Sequence, residues 1–124
     1  MRVVLVDDHE EVRAMVRVAL TTRPRLRVVG EAASLNAAVD IAAKLRPEAI
    51  VLDLVLPDAG QRQSHGALTA IREAAPTSEV VVYTAWESAR TWYERQGIRF
   101  FGKATDQLDD LVSFLDAPRP TDPA

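Results

Sequence analysis

Five polar residues carry the chemistry open to this sequence: Asp7, Asp8, Asp53, Thr84 and Lys103. Each stands at the end of an apolar run. Val3 to Val6 leads into Asp7 and Asp8, Ala49 to Leu52 into Asp53, Glu79 to Tyr83 into Thr84, and Ile98 to Phe101 stops just before Lys103. Carboxylates gathered within a few ångströms repel one another and raise each other's pKa. A hard divalent cation relieves that repulsion, and Mg²⁺ takes one or two carboxylates together with waters and phosphate oxygens. A carboxylate in such a site can act as a nucleophile and become an acyl phosphate. The remaining work is positioning and charge neutralisation. With Mg²⁺ on one phosphoryl oxygen, the Lys103 ammonium can take a second and the Thr84 hydroxyl a third.

The elements between these residues must bring them together. Short, continuous, β-branched-rich runs read as strands buried on both faces. Val12, Met15, Val16, Ala19 and Leu20 recur at helical spacing, so a helix follows the first strand and ends at Arg23-Pro24. Arg27 to Ala32 reads as a second strand. Ser34 is placed to cap a helix whose stripe is Leu35, Val39, Ala42 and Leu45, with Pro47 closing it. Asp58 to Gly66 reads as a polar loop, followed by a helix over about Ala67 to Ala75 that stops before Pro76. A helix is expected from about Glu87 to Gln96, ended by Gly97 as the residue past its C-terminus. The last helix is expected over Asp106 to Leu115, with Thr105 as its cap.

Strand followed by helix, repeated along the whole chain, demands a parallel sheet with helices on both faces. Right-handed crossovers leave two common doubly wound arrangements, and five strands favour the flavodoxin-like order 2-1-3-4-5. Ligands then bind at the carboxyl ends of the strands, where the order reverses between strands 1 and 3. The five polar residues all fall on that edge.

Composition narrows the field. The chain has 124 residues, enough for one domain with a single sizeable core. Lysine and arginine number 15 against 18 acids, a net charge of −3, a balance that gives no sign of bulk nucleic-acid binding though it does not forbid a small basic patch, and no direct nucleic-acid binding is expected. Cysteine is absent, excluding disulfides, thiolate metal sites and a cysteine nucleophile. No apolar run reaches membrane-spanning length, and the N-terminus runs into two acids too early for a signal peptide, so a cytoplasmic protein is expected. Residues 1–115 form the expected domain. Residues 116–124 carry Pro118, Pro120 and Pro123 and read as a tail or linker.

The motifs Asp7-Asp8, Asp53-Leu54-Val55-Leu56-Pro57, Thr84-Ala85 and Phe100-Phe101-Gly102-Lys103 resemble the receiver domains of bacterial two-component response regulators, over about residues 1 to 115. Val28-Val29-Gly30-Glu31-Ala32, and the lack of proline after Lys103, resemble the NarL/FixJ-like subgroup. The resemblance implies that Asp53 is the phosphoacceptor, phosphorylated by a sensor histidine kinase or phosphotransfer protein. It implies that Asp7, Asp8 and Asp53 hold Mg²⁺ with the main-chain carbonyl of Val55. Thr84 and Lys103 would engage the phosphoryl group, Thr84 shifting toward it, and Phe100 would be the switch aromatic. An output domain or partner protein would read the switched surface, and a homodimer is possible for the family.

The chain departs from the family pattern in three places. The loop after Asp53 holds about three extra residues. The interval from Thr84 to Lys103 is short, which trims the fourth helix by about one turn and alters the face the family uses to dimerise. Trp86 is bulky for a position two residues after the threonine.

Blander readings stand beside these. Asp7-Asp8 could be a helix-start pair, Asp53 a turn residue, Thr84 an ordinary strand residue and Lys103 a solvated charge. His9 could ligate a metal, but a surface or capping role is the default, and His65 has no expected function. Of Phe100 and Phe101, one is simple core, as are some of Trp86, Trp92 and Tyr93. The competing function is a degenerate receiver that acts as a phosphorylation-independent interaction module. An aspartate-nucleophile phosphatase of the haloacid dehalogenase type would need Asp-x-Asp, which neither acidic motif supplies.

Overall fold

In the computed structural model, residues 1–59 and 64–118 are described. Five strands, β1 (Arg2–Val6), β2 (Arg27–Ala32), β3 (Ala49–Leu52), β4 (Glu79–Thr84) and β5 (Phe100–Gly102), pair in parallel in the order β2-β1-β3-β4-β5. This is the expected doubly wound sheet. Five helices join them: α1 (Glu10–Thr21), α2 (Leu35–Leu45), α3 (Ser64–Ala74), α4 (Arg90–Arg95) and α5 (Leu108–Asp116).

The apolar runs work by alternation. Val3 and Leu5 of β1, Ala49 and Val51 of β3, and Val81 and Tyr83 of β4 pack with Val16 and Leu20 of α1 and Leu111, Val112 and Leu115 of α5. Their strand neighbours Val4, Val6, Ile50, Leu52, Val80 and Val82 join a second core with Ala38 and Ala42 of α2, Ala67, Leu68 and Ile71 of α3, and Tyr93 of α4. The sheet is therefore covered on both faces, which is why its strands carry so few polar residues. A fully buried Val, Leu or Ile contributes about 1.5–3 kcal/mol, and these two layers hold the strand ends in register. Met15, expected on the buried stripe of α1, stands 47% exposed at its rim, and Val18 is 64% exposed.

Four expected boundaries are corrected. Helix α3 begins at Ser64, a turn earlier than Ala67, and His65 in that turn lies flat on Trp92 with ring centroids 3.5 Å apart. Part of the expected loop is thus helix; its residues 60–63 lie outside the described residues. The segment expected as one helix from Glu87 divides into a 3-10 turn, Glu87–Ala89, and the short α4. Strand β5 starts at Phe100 rather than Ile98, because the turn through Gly97 (φ +76°) commits the Ile98 amide to the Tyr93 carbonyl at 3.1 Å. Helix α5 starts at Leu108 with Gln107, not Thr105, at its N-cap position. Asp106 takes a left-handed conformation (φ 53°) that a helix cannot include, and the Thr105 hydroxyl bonds the Gly102 carbonyl at 3.3 Å instead.

Two features tie the elements at their ends. Ser34 caps α2 as expected, accepting from the Ala37 amide at 3.1 Å, and Asp58 adds a second cap from the far side of β3. Its two oxygens accept the Leu35 and Asn36 amides at 2.7 and 2.9 Å. At the opposite end of the sheet, the N-terminal ammonium bonds the Arg25 carbonyl. Asp116, the last residue of α5, accepts from Arg23 at 2.9 Å and, through its carbonyl, from Arg25 at 3.2 Å. Among the described residues no helix is long and apolar enough to cross a membrane.

Candidate functional site at the carboxyl edge of the sheet

The sheet's hydrogen bonding continues past its strands and so fixes the polar residues beyond them. The Asp7 amide donates to the Ala32 carbonyl at 3.0 Å, the Asp53 amide to Val6 at 2.9 Å and the Lys103 amide to Thr84 at 2.9 Å. Each residue is therefore held by the neighbouring strand's end, and their side chains converge over the junction of β1 and β3.

Lys103 Nζ lies 2.5 Å from Asp7 Oδ2 and 3.2 Å from Asp53 Oδ2, joining acids that are 96 and 50 residues away in sequence. Asp7, Asp53 and Thr84 are the buried polar side chains of the described residues. Burial pushes the Asp53 carboxyl above its ordinary value. The Lys103 charge opposes that shift, the Asp7 charge adds to it, and the Thr84 hydroxyl and Val55 amide oppose it. Lys103 is held above its own ordinary value: burial works against its charge, but the bond to Asp7 and the charges of Asp53 and Asp7 outweigh it.

The remaining acid completes a cation-binding donor set. One ligand atom from each of Asp7, Asp8, His9 and Asp53 lies within 4.8 Å of the others. Asp8 Oδ1 is shielded from solvent and lies 3.0 Å from His9 Nδ1. Carboxylate oxygens are also the donors Mg²⁺ prefers. The residues fit the ion.

Not every expected site residue is in this pocket. Val55 presents its amide to Asp53 Oδ1 at 3.3 Å, while its side chain is 56% exposed. Thr84 is buried, its Oγ1 accepting from the Trp86 amide at 3.3 Å. Phe100 lies in the α4-side core against Tyr93, with the Arg90 guanidinium 4.7 Å above its ring. Phe101, its neighbour, packs on the α5 side against Phe114.

Sequence reading missed Arg13. Its Nη1 donates to the Asp7 carbonyl at 2.6 Å and its Nε to Glu31 at 3.2 Å, and Arg17 also pairs with Glu31. The clue was available: Arg13 and Arg17 are four apart on one helix face. It missed Arg90 too, which bonds Glu87 through two nitrogens, the Phe100 carbonyl at 3.1 Å and Gln107 at 2.7 Å. Gln107 Oε1 accepts in addition from the Gly102 amide at 2.8 Å, so one clasp joins the 3-10 turn, β5 and the start of α5.

A doubly wound sheet with an acid cluster and a lysine at its switch point defines a class: α/β proteins that bind phosphoryl groups and cations at the strand ends. Comparison with known proteins makes the assignment specific. The response regulator receiver domain family matches residues 3–111, and the chain belongs to that family. It is 32% identical over 123 residues to response regulator protein VraR of Staphylococcus epidermidis, covering 98% of this chain and 56% of that protein. It is 40% identical over 82 residues to protein-glutamate methylesterase/protein-glutamine glutaminase 3 of Myxococcus xanthus, covering 66% of this chain and 22% of that enzyme. The chain thus spans about half, or less, of the length of these relatives. Among solved structures, the response regulator domain of Thermotoga maritima CheB superposes with a TM-score of 0.82 at 22% identity, covering 99% of this chain and 98% of that one. The signal receiver domain of NarL from Mycobacterium tuberculosis gives 0.70 at 25% identity, covering 94% and 97%. VraR and NarL support the NarL/FixJ-like character read from the sequence.

Proposed function

We propose that Asp53 accepts a phosphoryl group from a partner histidine kinase or phosphotransfer protein, in a Mg²⁺-dependent step that switches an output surface. The observation that carries this reading is the pocket itself: a buried aspartate with a second buried acid and a lysine ammonium in bonding range. Asp7, Asp8 and Asp53, with the Val55 carbonyl, would hold Mg²⁺, and the bound ion supplies positive charge that screens the carboxylates from one another and from the phosphoryl oxygens. Asp53 attacks phosphorus in line, the P–N bond to the donor imidazole breaks, and the leaving nitrogen keeps the electron pair and takes up a proton. Lys103 moves from Asp7 onto a phosphoryl oxygen. The Thr84 hydroxyl, whose oxygen accepts from the Trp86 amide, donates its proton to another such oxygen. Phe100, packed under Arg90, is the aromatic that responds.

The contacts of Lys103 with Asp7 and Asp53 favour this reading over a phosphorylation-independent module. Residues 1–115 constitute the domain in this reading, with α5 running one residue further, and the proline-bearing remainder is a linker or tail. In this reading the protein is cytoplasmic, the pocket catalyses only its own phosphorylation and dephosphorylation, and any output domain or homodimer contact lies outside it.

Incubation with acetyl phosphate or phosphoramidate, followed by intact-mass measurement, tests the reading. A phosphate-sized increment is expected that requires Mg²⁺ and disappears in Asp53→Asn. Undiminished labelling of that variant would move the acceptor elsewhere.

A further inference from the structure

Lys103 is carried on a turn that the core does not hold. Ala104, Thr105 and Asp106 are exposed, and Asp106 is in the left-handed region. One residue closes the turn. The Gln107 amide donates to the Gly102 carbonyl at 3.1 Å, and Gln107 Oε1 accepts from the Gly102 amide at 2.8 Å. The same Oε1 accepts from Arg90 Nη2 at 2.7 Å, while Arg90 Nη1 donates to the Phe100 carbonyl at 3.1 Å. Glu87 accepts from Arg90 Nε at 2.9 Å and from Nη2 at 3.1 Å. The Thr105 hydroxyl lies 3.3 Å from both Glu87 Oε1 and the Gly102 carbonyl, inside the turn. The Glu87 carboxylate fills the space a side chain on residue 102 would need, so anything larger than glycine there would push it aside.

We propose that Arg90 and Gln107 are positioning residues for phosphoryl transfer: their clasp fixes the turn that carries Lys103 and so aims its ammonium at the junction of β1 and β3. The inference rests on the reading of Asp53 as phosphoacceptor and adds the device that aims its counter-charge. A lysine side chain is flexible and its ammonium acts as a point charge, so its reach is set by where its backbone stands. A misplacement of about 1 Å, caused away from the chemistry, can cost a reaction about a hundredfold. The ammonium also screens Asp7 and Asp53, and so competes with an incoming Mg²⁺ for them. Loosening the clasp therefore has effects of opposite sign. Transfer slows because the phosphoryl oxygens lose a partner, and Mg²⁺ binds more tightly because the acids lose one. General damage to the pocket would weaken both.

The test compares the whole wild-type chain with Gln107→Met, which keeps the side-chain length without the acceptor, with Gln107→Glu, which keeps an acceptor, and with Arg90→Ala. In Gln107→Met and Arg90→Ala, labelling of Asp53 by acetyl phosphate at saturating Mg²⁺ is expected to slow about fivefold or more, while the Mg²⁺ dissociation constant, read by calorimetry, falls about twofold or more. Gln107→Glu should stay within about twofold of wild type on both measures. In chelator, the ε-methylene resonances of Lys103 should move in the first two variants toward those of exposed Lys44, the one other lysine. Should Arg90→Ala not fold, the two Gln107 variants decide alone. Slower labelling with weaker or unchanged Mg²⁺ binding, or labelling at the wild-type rate, would overturn the proposal and leave the clasp a brace for α4. A wild type that does not label at all would sink the phosphoacceptor reading instead, and the lysine resonances in chelator would still decide whether the clasp aims Lys103.

Discussion

Lys103 neutralises two buried acids at once, so its removal leaves both uncompensated. Breaking such a pair by deleting one partner is costly, and with the partial exposure of this site Lys103→Ala should lower stability by about 1–3 kcal/mol in chelator. Addition of Mg²⁺ should recover much of that loss by binding only the folded state, which denaturant titrations with and without the ion can read. Asp53 gives the opposite sign. Its carboxyl is raised by burial, so its contribution to stability is full below its unfolded pKa and is lost as pH rises through the folded one. At neutral pH its charge is a liability to the metal-free fold. Asp53→Asn should therefore raise the melting temperature in chelator at pH 7 by roughly 2–6 °C, the advantage shrinking on acidification. A variant that melts no higher than wild type would show that Lys103 fully offsets the burial. The residues of the pocket were legible in the sequence because strand ends in a doubly wound sheet converge on one edge. Arg13 was legible only in part: its spacing from Arg17 marks a shared helix face, but side-chain spacing carries no record of its bond to the Asp7 carbonyl.

At the scale of elements, the cap that Asp58 lends to α2 has a measurable consequence. Its carboxyl is held below the ordinary range by bonds from the Asn36 and Leu35 amides, so this stabilisation is present above the unfolded pKa and lost as pH falls through the folded one. In Asp58→Ala the amides of Leu35 and Asn36 should exchange with solvent several-fold faster while those in β1 are unaffected. Ser34 was readable as a cap from its type and place; Asp58 was not, because it reaches α2 from another loop. Strand positions were legible to a residue for β2 and β3, where apolar runs have polar ends. Helix starts were the least legible. The first turn of α3 is held by the His65 and Trp92 rings, a contact between distant segments that no local periodicity reports. The start of α5 was displaced by one left-handed residue, Asp106, whose conformation its sequence context did not mark.

For the molecule as a whole, the strand order followed from alternation of strand and helix, because both faces of a parallel sheet must be covered and crossovers have one hand. What lay beyond reach was how the shortened α4 region would be held, which falls to Arg90 and Gln107. The two ends of the described chain meet at the Arg23–Arg25 turn, at the opposite edge of the sheet from the acids. Within the described residues, Met1 and the end of α5 therefore share a seam at the pole opposite the chemistry. Joining residue 118 to residue 1 by a flexible linker and reopening the chain between Asp58 and Ser64 should give a circular permutant with the parent's spectrum and acetyl-phosphate reactivity. A reporter attached at the seam should leave the pocket undisturbed.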